Sequence, residues 1–227
     1  MANRYSYKSS LPIFIKQFPV FLILLIIFQV LGITLSAIYS QAELFLAINR
    51  LHHHIADQLF MVITHLGDWP VTVGLASIFL FINYRYTLVL VCTMLYTGFF
   101  TQVIKLLLKH PRPAIYFQDL DPIYTIPHYV LQNSLSFPSG HTTCVFALAI
   151  TLSYIFPAQR KQPWLFIIAL VVALSRVYLA QHFFKDLLAG SLLGTFFALH
   201  LLWLLERASW FHSQDLNRNL LQFLRSR

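Results

Sequence analysis

Of 227 residues, 58% are hydrophobic and only 11% charged, whereas soluble domains run near half apolar and a quarter charged, so the composition excludes a soluble globular protein and points to a membrane. Sixteen Lys and Arg against eight Asp and Glu give a net charge of +8, but the basic residues flank apolar runs and do not cluster. They read as loop charges that set topology and not as a nucleic-acid surface. Cys92 and Cys144 both lie inside apolar runs, which excludes a disulfide or zinc framework and leaves them as small packing residues.

Residues 1–17 carry Arg4, Lys8 and Lys16 and read as a cytoplasmic N-terminal segment. The uncharged run from Pro19 to about Ala37 follows. It exceeds the roughly 7 to 15 residues of a signal-peptide core and is long enough to cross about 30 Å of hydrocarbon, which predicts an uncleaved first span. Residues 43–66 alternate apolar and polar positions at helical spacing and predict an interfacial helix. The triple histidine at 52–54 does not suit a metal, because consecutive helical residues point in different directions and no carboxylate or cysteine completes a ligand set. Gly67-Asp68-Trp69-Pro70 breaks that helix, and Pro70 suits the first turn of a second span that reaches Asn83.

Tyr84-Arg85-Tyr86 reads as a short turn before a third span, about 87–108. A connection of about thirty residues, 109–138, contains Tyr116, Tyr124, Tyr129 and five prolines; loops of such length usually carry function or are disordered. Its stretch 114–137, aromatic and carrying Asp119 and Asp121, fits a lipid at the membrane interface. Apolar runs at about 141–156, 164–178 and 183–205 complete an expected all-α bundle of six transmembrane helices. Gly190 and Gly194 form a small-xxx-small pair suited to close approach of two helices within the chain. The tail, 206–227, places Trp210, Leu216, Leu220, Phe223 and Leu224 near helical spacing among arginines and predicts a cytoplasmic amphipathic segment on the membrane surface.

With the N-terminus inside, the inner segments hold Arg4, Lys8, Lys16, Arg85, Arg160, Lys161, Arg207, Arg218, Arg225 and Arg227, ten of the sixteen basic residues. That bias predicts both termini in the cytoplasm. The same orientation gathers three polar clusters at the outer face: Lys105 with Arg112-Pro113, Pro138-Ser139-Gly140-His141, and Ser175-Arg176 through His182 to Asp186. Ionisable groups at a membrane edge are expensive and mark a functional site by default. Lys105 and Arg112 supply cations, although both could simply reach for headgroups. Ser139 suits an N-cap, beyond which Gly140 and His141 offer N–H groups at the positive end of a helix. His182 and Asp186 stand four apart on one helix face, where the carboxylate can hold Nδ1–H and leave Nε2 free as nucleophile or base. Cations, helix N–H donors and an oriented histidine, with no cluster of carboxylates for magnesium, suit a phosphoryl group and call for no metal or other cofactor.

Lys105, six residues, then Arg112-Pro113; Pro138-Ser139-Gly140-His141; and Ser175-Arg176, five residues, His182, three residues, Asp186: this three-part pattern resembles the signature of the type 2 phosphatidic acid phosphatase superfamily of membrane lipid phosphatases. No signature position departs from it, and the resemblance covers roughly residues 18–205, the expected six-span domain. It implies that His182 takes the phosphoryl group, that Asp186 orients it, and that His141 protonates the leaving oxygen and later activates water. Lys105, Arg112, Ser139, Gly140 and Arg176 would bind the phosphate. The residues alone did not decide which histidine attacks. Implied partners are a lipid phosphate and membrane lipids. Candidate substrates are undecaprenyl diphosphate, phosphatidylglycerophosphate, phosphatidate and the phosphates of lipid A, and the site is implied to face the periplasmic or exoplasmic side. A non-catalytic lipid-phosphate binder or flippase would have no use for the His182–Asp186 pairing or His141. A vanadate-dependent haloperoxidase is soluble, and transfer to an acceptor other than water is the nearer variant.

Overall fold

The computed structural model describes residues 10–119, 123–127 and 129–225; the readings of Arg4, Lys8, Asp121 and Arg227 lie outside them. The chain folds as helices α1 (Leu11–Ile15), α2 (Pro19–Ile38), α3 (Gln41–Asn49), α4 (His54–Ile63), α5 (Trp69–Leu80), α6 (Tyr84–Leu108), α7 (Pro113–Tyr116), α8 (Gly140–Ile155), α9 (Gln162–Tyr178), α10 (Phe184–Arg207) and α11 (Leu220–Arg225), with short 3₁₀ turns between some of them and no strand among the described residues. Among the described residues four helices are long and apolar enough to cross a membrane, and α4 with its following turn joins α5 at a 55° bend to make a fifth candidate. Helix α8 is apolar but only 16 residues long. The expected helical membrane bundle is present.

Helix α8 is the hub, packed between α6, α9 and α10 and buried along most of its length. The seam with α10 is close because two positions lack a Cβ. At Gly190 a Cβ would fall 2.9 Å from the Ser139 carbonyl oxygen and Thr142 Cβ, and at Gly194 it would collide with the Thr143 carbonyl. Helix α2 buries Phe21 and Leu25, with the Phe21 ring set edge-on to Phe146 and Phe166. Its other flank leaves Ile23, Ile26, Val30 and Ile33 exposed, an apolar surface that belongs in lipid. The N-terminal segment is not wholly peripheral, since Phe14 and Phe18 enter the core.

Two local expectations need correction. Residues 43–66 are not one helix but α3 and α4. Ser40 and Glu43 close a capping box on α3, and the chain restarts at His53, whose ring Nδ1 accepts from the Ile55 N–H at 3.3 Å. The His53 N–H goes instead to the Tyr178 hydroxyl. Tyr84, Arg85 and Tyr86 are not a turn but the first turn of α6, because the Asn83 side chain accepts from the Arg85 N–H at 2.9 Å and caps the helix. The described part of the tail is helical only in pieces. It folds into short turns and α11, with Phe211 buried beneath the Arg85 guanidinium and the Arg218 carbonyl accepting from the Tyr84 N–H.

Helix ends fix where chemistry can gather. The C-terminal ends of α6 and α9 and the N-terminal ends of α5, α8 and α10 meet at one end of the bundle. Helix α6 stops there at Lys109, which takes left-handed backbone (φ 49°) two residues before Pro111.

Candidate active site

His182 lies in the short connection between α9 and α10 and is 1% exposed. Its Nδ1 lies 3.3 Å from Asp186 Oδ2 on the first turn of α10. The Asp186 oxygen also accepts from Ser136 Oγ at 2.5 Å and from the Phe183 N–H at 3.0 Å, and Ser136 Oγ stands 3.2 Å from Nδ1. On the opposite side of the ring, Arg112 Nη1 approaches Nε2 at 3.3 Å. A guanidinium has only donors, so Nε2 is the acceptor and Nδ1 carries the proton toward Asp186. Burial first, and then the charges of Arg112, Arg176, Lys105 and His141, push the imidazolium of His182 well below its ordinary value of 6.5 and keep the ring neutral.

Arg112 is almost completely buried and held on several sides. Its Nε donates to the Ser134 carbonyl at 3.1 Å, Nη1 to the Gln181 carbonyl at 2.9 Å and Nη2 to Gln132 Oε1 at 2.9 Å. Lys105 donates to the Leu135 carbonyl at 3.3 Å, and a Cβ on Gly140 would sit 3.9 Å from its Nζ, so the ammonium stands over the N-terminus of α8. Arg176, also buried, donates to Thr64 Oγ1 at 2.7 Å and to the Tyr129 hydroxyl at 3.4 Å. Ser139 caps α8 by accepting from the Thr142 N–H at 3.4 Å. Its own N–H reaches the Asp186 carbonyl at 3.1 Å, tying α8 to α10. His141, in the first turn of α8, places Nε2 2.5 Å from Asp68 Oδ1.

All the residues singled out by the sequence meet at this end of the bundle, in two layers. Lys105, Gly140 and His141 line a cavity of about 920 Å³ between α5, α6 and the start of α8. Arg112, His182 and Asp186 are not among its lining residues and stand behind them. The cavity follows α6 from Lys105 back to Thr87, about 27 Å at 1.5 Å per residue. Its walls include Ala76, Leu80, Val91 and Leu95.

Sequence reasoning missed Ser136, Gln132, Gln181, Thr64 and Asp68. None belongs to a periodic pattern. The available signals were Gln181 standing next to His182 and an acidic residue in the helix-breaking Gly67–Pro70 stretch. The triple histidine is used structurally: His53 caps α4 and His52 packs its ring against Tyr124, centroids 3.3 Å apart.

The family model for the PAP2 superfamily matches residues 86–210. Lipid A 4'-phosphatase of Porphyromonas gingivalis is 28% identical over 184 residues, 75% of this chain and 75% of its own. Undecaprenyl-diphosphatase BcrC of Bacillus subtilis is 32% identical across 66% of this chain and 76% of its own. Among solved structures, LpxE of Aquifex aeolicus superposes with a TM-score of 0.63 at 27% identity, covering 71% of this chain and 93% of that one. A PAP2-type phosphatidylglycerolphosphate phosphatase of Bacillus subtilis gives 0.55 at 26%, covering 80% and 92%.

Proposed function

Because the chain belongs to the PAP2 superfamily, we propose that it is an integral membrane phosphatase that hydrolyses a lipid phosphate or diphosphate through a phosphohistidine. The observation that carries the reading is the His182 ring, held at Nδ1 by Asp186 and aimed at Nε2 toward the Arg112 guanidinium. That is a neutral nucleophile pointed at a cation, the arrangement an incoming phosphate needs. Nε2 attacks phosphorus, the bond to the leaving oxygen breaks, and His141 gives that oxygen its proton. Water then attacks the phosphohistidine while His141 takes a proton back. Lys105, Arg112, Arg176 and the N-terminus of α8 at Ser139 and Gly140 neutralise the phosphoryl oxygens, which is most of what phosphoryl transfer requires. For Nε2 to reach phosphorus, Arg112 moves from Nε2 onto a phosphate oxygen.

The long apolar cavity headed by Lys105 and His141 supports a substrate with a hydrocarbon tail, lying along α6 with its phosphate at the site. Relatives act on lipid A and undecaprenyl diphosphate, and a structural neighbour on phosphatidylglycerolphosphate, so these, with phosphatidate, are the substrates to assay. The purified protein is expected to release phosphate from at least one of them. Because protein cations serve the phosphate, EDTA is expected to leave turnover unchanged and vanadate to inhibit it. No release from any of the four, or activity abolished by EDTA and restored by magnesium, would overturn the reading.

The topology belongs to the same proposal. Six spans within residues 18–205, with α8 counted as one, put residues 109–138 and the site on the outer face and both termini in the cytoplasm. The ten inner basic residues support this orientation. Single cysteines at the exposed positions Gln118 and Gln159, placed in a variant lacking Cys92 and Cys144, are expected to lie on opposite sides of the membrane, the first labelled from outside intact cells and the second not. Both labelling from outside with an impermeant reagent would overturn this topology.

A further inference from the structure

The bend between α4 and α5 is built against His141. Gly67 lies so close that a Cβ there would fall 3.1 Å from the His141 carbonyl oxygen and 3.2 Å from its Cβ. One turn earlier, Thr64 accepts from Arg176. Between them the bend delivers Asp68, whose two oxygens both go to imidazoles: Oδ1 lies 2.5 Å from His141 Nε2 and Oδ2 lies 2.7 Å from His65 Nδ1. Asp68 occupies the N-cap position of α5, where an aspartate normally accepts from the first turn of its own helix. Its side chain makes no such bond. A residue that forgoes the common local use of its carboxylate and spends both oxygens on histidines has a different task.

We propose that Asp68 is the positioning residue of His141, holding Nε2–H so that Nδ1 is the nitrogen presented to the reacting oxygen. The carboxylate fixes the ring's orientation and stabilises the imidazolium that gives up a proton from Nδ1 to the leaving oxygen. After transfer, the ring is neutral with Nε2–H still on Asp68, and Nδ1 accepts the proton of the attacking water. His65, 70% exposed at its side chain, holds the other oxygen of Asp68 at the surface. Each histidine of the site thus has its own carboxylate, Asp186 for His182 and Asp68 for His141.

The inference rests on the phosphatase reading, and the two fail separately: a wild-type protein that releases no phosphate defeats that reading, whereas the comparison of variants defeats this one. Asp68→Asn is expected to lower kcat for an alkyl phosphate lipid by about 10²-fold, the lower end of what acid-base assistance contributes, with little change in KM. With 4-nitrophenyl phosphate, whose leaving group needs no proton, formation of the phosphoenzyme in a rapid-quench experiment is expected to stay within about threefold of wild type. This second readout also reports whether the variant is folded. The phosphoenzyme is expected to accumulate, because the water-activation step still needs His141, and Asp68→Glu is expected to restore part of the alkyl phosphate rate. Equal losses of phosphoenzyme formation for the two substrates, or an unchanged alkyl phosphate rate, would overturn the assignment.

Discussion

Replacing His182 with alanine is expected to abolish the phosphoenzyme and to cut turnover by on the order of 10⁵- to 10⁶-fold, as when the nucleophile of a covalent mechanism is removed. The two histidines differ in what their loss leaves behind. His141→Ala keeps the nucleophile and its neutralising cations and loses acid-base assistance, commonly worth about 10²- to 10⁴-fold. Its deficit in forming the phosphoenzyme is expected to shrink for a diphosphate or an aryl phosphate, whose leaving groups need no proton, while His182→Ala is equally inert toward all of them. Asp186→Asn is expected to fall between the two, since Ser136 still approaches Nδ1 and holds part of the ring's orientation. The pH profile carries a further mark. His182 is held well below 6.5, so the fraction protonated, and therefore unable to attack, grows only below the usual histidine range. Any acid limb of kcat/KM that belongs to His182 is expected below pH 6.5. The measurement is rapid-quench trapping of phosphohistidine in all three variants; a normal phosphoenzyme level in His182→Ala would show that another residue attacks.

The second large effect is expected from Gly194→Leu, a residue that touches no substrate. A side chain there meets the carbonyl of Thr143 on the facing helix, and backbone cannot move aside as a flexible side chain can. Overpacking a core costs about 1–3 kcal/mol, which for a chain of this size corresponds to about 2–12 °C in midpoint. Separating α8 from α10 also strains the Ser139 N–H to Asp186 carbonyl bond and the spacing of the two histidines, so activity is expected to fall further than stability. Gly74→Ala on α5, where a Cβ meets nothing within 4 Å, is expected to be neutral or mildly stabilising. Thermal unfolding in detergent with parallel assays tests both; an unaltered midpoint for Gly194→Leu would show that the seam gives way freely.

What the sequence made legible was local. Lys105, Arg112, Ser139, His141, Arg176, His182 and Asp186 stand at the edges of apolar runs, where the cost of burying charge makes them conspicuous. A spacing of four put His182 and Asp186 on one face, and the glycine pair on α10 signalled a close seam before any partner was known. What could not be read was supplied from a distance. Ser136 reaches Asp186 across fifty residues and Asp68 meets His141 from another helix, and no pattern within a window encodes either contact. The error at 43–66 has a physical cause. Helical periodicity registers an apolar face but not the caps and tertiary bonds that divide it, such as the His53 N–H donated to the Tyr178 hydroxyl. At Tyr84 the miss was local, since Asn83 is a capping residue that the turn reading passed over.

The seam between α8 and α10 has a consequence in time as well as in space. Chains emerge from the ribosome N-terminus first, and here the cations, the helix cap and His141 are all translated before His182 and Asp186. A nascent chain that has completed α9 therefore holds the residues proposed to bind phosphate but lacks the one proposed to attack it. On the proposed roles the phosphate-binding parts are completed as a catalytic site only when α10 arrives and Gly190 and Gly194 let it close on residues of α8 made about fifty positions earlier, so competence comes with α10 and not before.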